Sequence, residues 1–93
     1  MKKCYLISYD ISDEKRLRKM AKLLEEYGYR VQKSVFVCFL TEFMYETLRQ
    51  KIKLLIDLHQ DRVRIYQLCR SCQKTAEVEG ITEVPQEEDF VIV

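Results

Sequence analysis

Between Lys3 and Ile11 the chain reads KCYLISYDI, apolar and aromatic throughout, with one carboxylate, Asp10, close to its end. No turn residue interrupts the run, and it predicts a strand. Polar positions follow. Ser12 suits a helix N-cap, and Asp13 and Glu14 suit the positive end of a helix dipole. Leu17, Met20, Ala21, Leu24 and Tyr27 then recur at helical spacing, with Gly28 placed to stop the helix. Residues 29–40 (YRVQKSVFVCFL) are rich in β-branched and aromatic side chains. Such a stretch is long for one strand, so a reversal near Gln32–Ser34 is expected to fold it into a hairpin. Thr41 can cap a second helix whose apolar stripe is Met44, Leu48, Ile52 and Leu55. Residues 57–61 (DLHQD) form a polar loop, and residues 62–69 (RVRIYQLC) alternate as a strand with Arg62 and Arg64 on one face. A short strand at 76–81 (AEVEGI), a polar linker with Pro85 and the apolar end Phe90–Val93 complete the reading.

The order β-α-(ββ)-α-β predicts an α+β, ferredoxin-like βαββαβ domain with C-terminal extra strands, its two helices on one face of an antiparallel sheet. Residues 1–82 are assigned to this domain and residues 83–93 to a linker and docking strand. Exposed apolar ends fray, so an apolar Phe90–Val93 points to docking, and adding a strand to another chain's sheet edge is a direct way to do it. A core this small adds to the expectation of a homodimer.

Composition narrows the class. In 93 residues, 47% are hydrophobic and 33% charged, with two Gly and one Pro, a composition that excludes a disordered chain. No apolar run approaches the ~20 residues of a membrane span. The opening MKKCYLISYDIS is broken by Ser8 and Asp10 and lacks a small-residue cleavage site, so no signal peptide is read and the cytoplasm is the expected compartment. Cys4 and Cys38 fall in strand-like runs and read as small hydrophobes. Cys69 and Cys72 form a lone C-x-x-C, and with His59 the single histidine a zinc site lacks ligands. Net charge is +1, but all 16 Lys and Arg lie in residues 1–74 against nine acids there, a formal +7, while residues 75–93 hold six acids and no base. A basic body with an acidic tail fits either polyanion binding or solvated helix faces with a solubilising tail.

The strand ending Tyr9-Asp10, the segment Arg30-Val31-Gln32-Lys33-Ser34-Val35-Phe36, the segment Val63-Arg64-Ile65-Tyr66 and the apolar end Val91-Ile92-Val93 occur together and in order. In this the chain resembles the small CRISPR-associated nuclease family, the second core Cas protein of spacer acquisition, over essentially its whole length. The resemblance implies a ferredoxin-like homodimer, a metal-dependent endonuclease on RNA or double-stranded DNA, and a bridge between dimers of the partner integrase. It carries the family's metal-binding aspartate onto Asp10, the neighbouring tyrosine onto Tyr9 and the functional phenylalanine onto Phe36. It places arginines of the first helix near Arg16 and Arg18, and the arginine opening R-V-Q at Arg30. Val37 departs from the pattern, since many members carry Glu there.

The chemistry such a site needs agrees with these residue types. Phosphodiester hydrolysis requires charge neutralised on the phosphoryl oxygens and a water made nucleophilic. Mg²⁺ (with Mn²⁺ as substitute) does both, using one or two carboxylates and retained waters. Two copies of Asp10 facing each other across a dimer axis would supply two carboxylates. The competing reading pairs Asp10 with Lys or Arg, or has it cap the following turn. No G-x-x-x-x-G-K-[ST], H-E-x-x-H or Ser/His/Asp order offers another hydrolytic route. Lys15, Arg16, Arg18, Lys19 and Lys22 crowd the first helix and suit sequence-blind phosphate contacts, while Arg30, Lys33, Arg62 and Arg64 lie on strands. Tyr9 and Phe36 suit stacking on bases of an unpaired strand, with core packing the rival reading for Phe36. Two functions from different classes stand side by side, an endonuclease acting through Asp10 and a dimeric scaffold that holds duplex DNA and recruits the integrase. Outside the resemblance, a toxin-type ribonuclease or a non-enzymatic ferredoxin-like binding module shares the same pattern.

Overall fold

A computed structural model describes residues 1–68 in full and residues 89–92 as backbone. The elements are β1 (Lys3–Asp10), α1 (Glu14–Glu25), β2 (Gly28–Gln32), β3 (Val35–Leu40), α2 (Glu42–Leu55), β4 (Arg62–Gln67) and β5 (Asp89–Ile92). They form one five-stranded sheet in the order β2-β3-β1-β4-β5. Every neighbouring pair is antiparallel. Order, connectivity and the two helices give the ferredoxin-like arrangement, with the N-terminal strand at the centre.

Alternation along β1 divides its side chains between two faces. Tyr5, Ile7, Tyr9 and Ile11 enter the main core with Met20 and Leu24 of α1 and Leu48 and Ile52 of α2. Cys4 and Leu6 point the other way and join Val37, Tyr66 and Leu68 in a second apolar cluster. Asp10 and Ser8 share that second face by the same period-two rule.

Local choices follow the chain's chemistry, with three departures. Helix α1 is capped by Asp13, whose carboxylate accepts from Arg16 N at 3.0 Å, and not by Ser12. Either side chain can cap, and the helix starts one residue later than the apolar period alone suggests. Gly28 does not stop α1, whose C-cap is Glu26. It opens β2, where a Cβ would lie 2.1 Å from the Val37 carbonyl oxygen and 2.7 Å from Cys38 Sγ, so glycine is demanded by close approach of β2 to β3. The hairpin falls as expected, with residues 33–34 as the turn and a bulge between Arg30 and Gln32. Thr41 caps α2, its hydroxyl accepting from Met44 N at 3.1 Å.

The third departure is the C-terminal strand. In this structure it pairs with this chain's own β4, with Arg64 opposite Val91 and Ile65 opposite Phe90. A strand edge is satisfied equally well by its own chain or by another, so sequence could not choose between them. The expected strand at 76–81, the Cys69/Cys72 pair, the linker at Pro85 and the boundary after residue 82 lie outside the described residues.

Candidate nucleic-acid site on the outer sheet face

Strand β1 carries Asp10 to its carboxyl end and leaves it exposed on the face opposite the helices. Across the β1–β4 ladder, Asp10 stands opposite Arg62 and Ser8 opposite Arg64. Because residues two apart on a strand share a face, both guanidiniums project beside the carboxylate. Ser8, Tyr9, Asp10, Arg62 and Arg64 line an open recess of about 220 Å³. Among the described residues, Asp10 is in no ion pair with either arginine.

Tyr9 and Phe36 occupy the other side of the sheet. Both are buried, Tyr9 at 5% and Phe36 at 0% exposure, with their rings 6.3 Å apart. The base-stacking role expected for them fails on this count, since neither ring has a face open to solvent. Core packing wins for Phe36 because it sits opposite Ile7 in the middle of the sheet's helix-side face. Arg30 joins this pair: its guanidinium lies 5.3 Å from the Phe36 ring centroid and hydrogen-bonds the Tyr9 side chain. Burial pushes the Tyr9 hydroxyl above its ordinary pKa, with Arg30 acting the other way. So Tyr9, Phe36 and Arg30 form one group under the sheet, and Asp10 stands on the opposite face.

The basic residues of α1 separate as well. Lys15, Arg18, Lys19 and Lys22 line an open groove of about 360 Å³. Arg16 turns away from them. Its Nε donates to Asp61 Oδ2 at 2.7 Å and its Nη2 to Asp61 Oδ1 at 3.2 Å, a two-point pair with a carboxylate whose side chain is 0% exposed. Asp61 also accepts from Asp57 N at 2.9 Å. Arg16, with the backbone N–H groups of Asp57 and Ser12, holds its carboxyl below the usual carboxylate range, against the opposing effect of burial. Asp61 therefore ties the start of α1 to the turn that enters β4, immediately before the residue facing Asp10. Sequence reading missed it, because a carboxylate ending a polar loop carries no sign of a partner 45 residues away.

His59 is exposed, as expected, and stands in the α2–β4 turn. Cys38 is buried, and burial pushes its thiol up to about 12, leaving it an inert packing residue. Among the described residues, no cluster of three or more His, Cys, Asp or Glu side chains is placed to hold a metal ion. No helix among them is long and apolar enough to cross a membrane.

Comparison with known proteins fits this geometry. Residues 3–76 match the family described as CRISPR associated protein Cas2. The chain belongs to the Cas2 family. It is 50% identical over 91 residues to the CRISPR-associated endoribonuclease Cas2 1 of Chloroflexus aurantiacus, covering 96% of this chain and 98% of that protein. It is 44% identical over 85 residues to the CRISPR-associated endonuclease Cas2 2 of Thermus thermophilus, covering 91% and 90%. Among solved structures it resembles a chain of a partial Cas6-RT-Cas1–Cas2 complex, with TM-score 0.67 and 32% identity over 95% of this chain and 98% of that one. A Cas2 chain thus places its aspartate-bearing strand end beside two arginines, with a separate basic groove on α1.

Proposed function

We propose that this chain is an endonuclease subunit of CRISPR spacer acquisition, with phosphodiester cleavage centred on Asp10. The observation that carries the reading is the recess at the end of β1, where an exposed carboxylate faces solvent between Ser8, Arg62 and Arg64. Relatives named endoribonuclease and endonuclease support cleavage of nucleic acid, and the similar chain of a Cas1–Cas2 complex supports assembly with the integrase. The compartment implied is the cytoplasm, where such an assembly meets DNA.

One carboxylate with arginine neighbours does not make a closed metal cage. It fits Mg²⁺, which takes one or two carboxylates and fills its remaining positions with water and substrate phosphate oxygens. When bound, the ion would neutralise phosphoryl charge and lower the pKa of a water. Asp10 would hold it, and in a homodimer a second Asp10 facing it across the dimer axis would add to the donor set. Arg18, Lys19 and their neighbours in the α1 groove hold the phosphate backbone without reading sequence. That groove also favours the scaffold function, since duplex binding there needs no cleavage.

The test is Asp10→Asn, which keeps side-chain size and removes the charge. Cleavage of RNA and of duplex DNA should be lost in the variant and in wild type with EDTA, and Mg²⁺ or Mn²⁺ should restore it only in wild type. Duplex binding should persist, because it rests on Lys and Arg. An integration assay with the integrase then separates the two roles: integration surviving in the variant assigns the cellular function to the scaffold. Undiminished cleavage by the variant, with contaminating nuclease excluded, would overturn the catalytic reading.

A further inference from the structure

The recess beside Asp10 holds more positive charge than its carboxylate can balance. Arg62 and Arg64 stand two residues apart on β4, so their side chains leave the same face roughly 7 Å apart. Both are exposed, and among the described residues neither is committed to an ion pair. Arg16 makes the contrast: it is locked onto Asp61 in two-point geometry and has little left to offer a ligand. Ser8 lies directly across from Arg64 and adds a hydroxyl at the same wall.

Guanidinium groups recognise phosphate by paired N–H donors in a fixed fork, and they lose less hydration than an ammonium in doing so. Two of them on rigid strand backbone are better placed than mobile lysines to hold two neighbouring phosphates of one strand in a set orientation. We infer that Arg62 and Arg64 form a phosphodiester cradle that seats the backbone of a single nucleic-acid strand against Asp10, distinct from the α1 groove. It rests on the proposed cleavage role of Asp10 only for the identity of the phosphate as the scissile one; the binding itself does not require that role. In this arrangement Arg62, opposite Asp10, sets the distance of the phosphate from the carboxylate. Arg64, opposite Ser8, fixes the neighbouring position on the strand.

The test uses the full chain and a fluorescein-labelled single-stranded RNA, with binding read by anisotropy in EDTA so that no cleavage intervenes. Each phosphate contact contributes about 0.7 to the slope of log K against log salt for single strands. Arg62→Ala/Arg64→Ala should therefore lower the slope by about 1.4. Arg49→Ala, which removes one positive charge on α2 where Arg49 pairs with Glu46 outside either site, serves as the control; its slope should match wild type. Arg62→Lys/Arg64→Lys should recover the slope, because the charge remains. With metal present it should still cleave more slowly at saturating RNA, because the fork is gone. A slope for the alanine pair equal to that of the Arg49→Ala control overturns the cradle. If the slope falls as expected while Asp10→Asn still cleaves, the cradle stands as a binding site and only its assignment to the scissile phosphate is lost.

Discussion

Phe36 separates packing from recognition most sharply. Its side chain is fully buried, 6.3 Å from the Tyr9 ring and under the Arg30 guanidinium. Replacing it by Ala opens a cavity between sheet and helices and should cost about 3–5 kcal/mol. The lost Arg30 contact accounts for about 0.5–1 of this. Domains of this size have roughly 5–14 kcal/mol in total, so the Ala variant should sit near the edge of stability. Leu at the same position keeps most of the apolar volume and should cost under about 1.5 kcal/mol. At about 4–8 °C per kcal/mol, Tm should fall by up to ~12 °C for Phe36→Leu and by ~12–40 °C for Phe36→Ala. Far-UV circular dichroism is the suitable readout, since the chain has no Trp. The deciding measurement is affinity for single-stranded RNA at a temperature where Phe36→Leu is folded. A buried ring leaves the affinity within twofold of wild type. A ring that stacked on a base would be worth about 1–3 kcal/mol, a loss of roughly 5- to 150-fold. A Phe36→Leu protein with unchanged Tm and binding reduced tenfold or more would refute the packing account.

Three further outcomes are expected. Gly28→Ala should destabilise by about 1–3 kcal/mol through overpacking. Adding Cys38→Ala should not rescue it, because the nearest clash, at 2.1 Å, is with a backbone carbonyl; thermal melts of the single and double variants check this. Asp61→Asn should lower Tm at neutral pH. Since the folded-state carboxyl titrates below its ordinary 3.8, the stability it provides is present above that pH and is lost as pH falls through the folded value. The Tm gap between wild type and Asp61→Asn should therefore close in acid, and a gap constant from pH 7 to pH 2.5 would contradict the ion-pair account. Deleting Pro85–Val93 should leave β1–β4 folded by circular dichroism but bare the β4 edge, altering self-association by light scattering; identical mass and Tm would show that β5 contributes nothing.

Periodicity and capping chemistry made most of the fold legible. The strand ending at Asp10, the stripes Leu17–Leu24 and Met44–Leu55, Thr41 as cap and the hairpin at residues 33–34 all follow from local side-chain size and polarity, which the backbone obeys wherever it lies. Asp10 was legible too, as a carboxylate closing an apolar strand, and so was the placing of Arg62 and Arg64 on one face. Contacts between distant segments were beyond reach. Whether Phe36 faced solvent or core depended on which face of β3 the helices cover, and whether Arg16 met phosphate or protein depended on Asp61, which only the β1–β4 pairing brings alongside α1. Gly28 looked like a helix stop because its need for space arises from Val37 and Cys38 on the neighbouring strand. Local pattern sets the element and the face a residue occupies. What stands opposite that face is decided by strand order and helix packing, which are properties of the whole chain, and there the two rings were assigned to the core, Arg16 to a structural pair, and Asp10 to the company of two arginines.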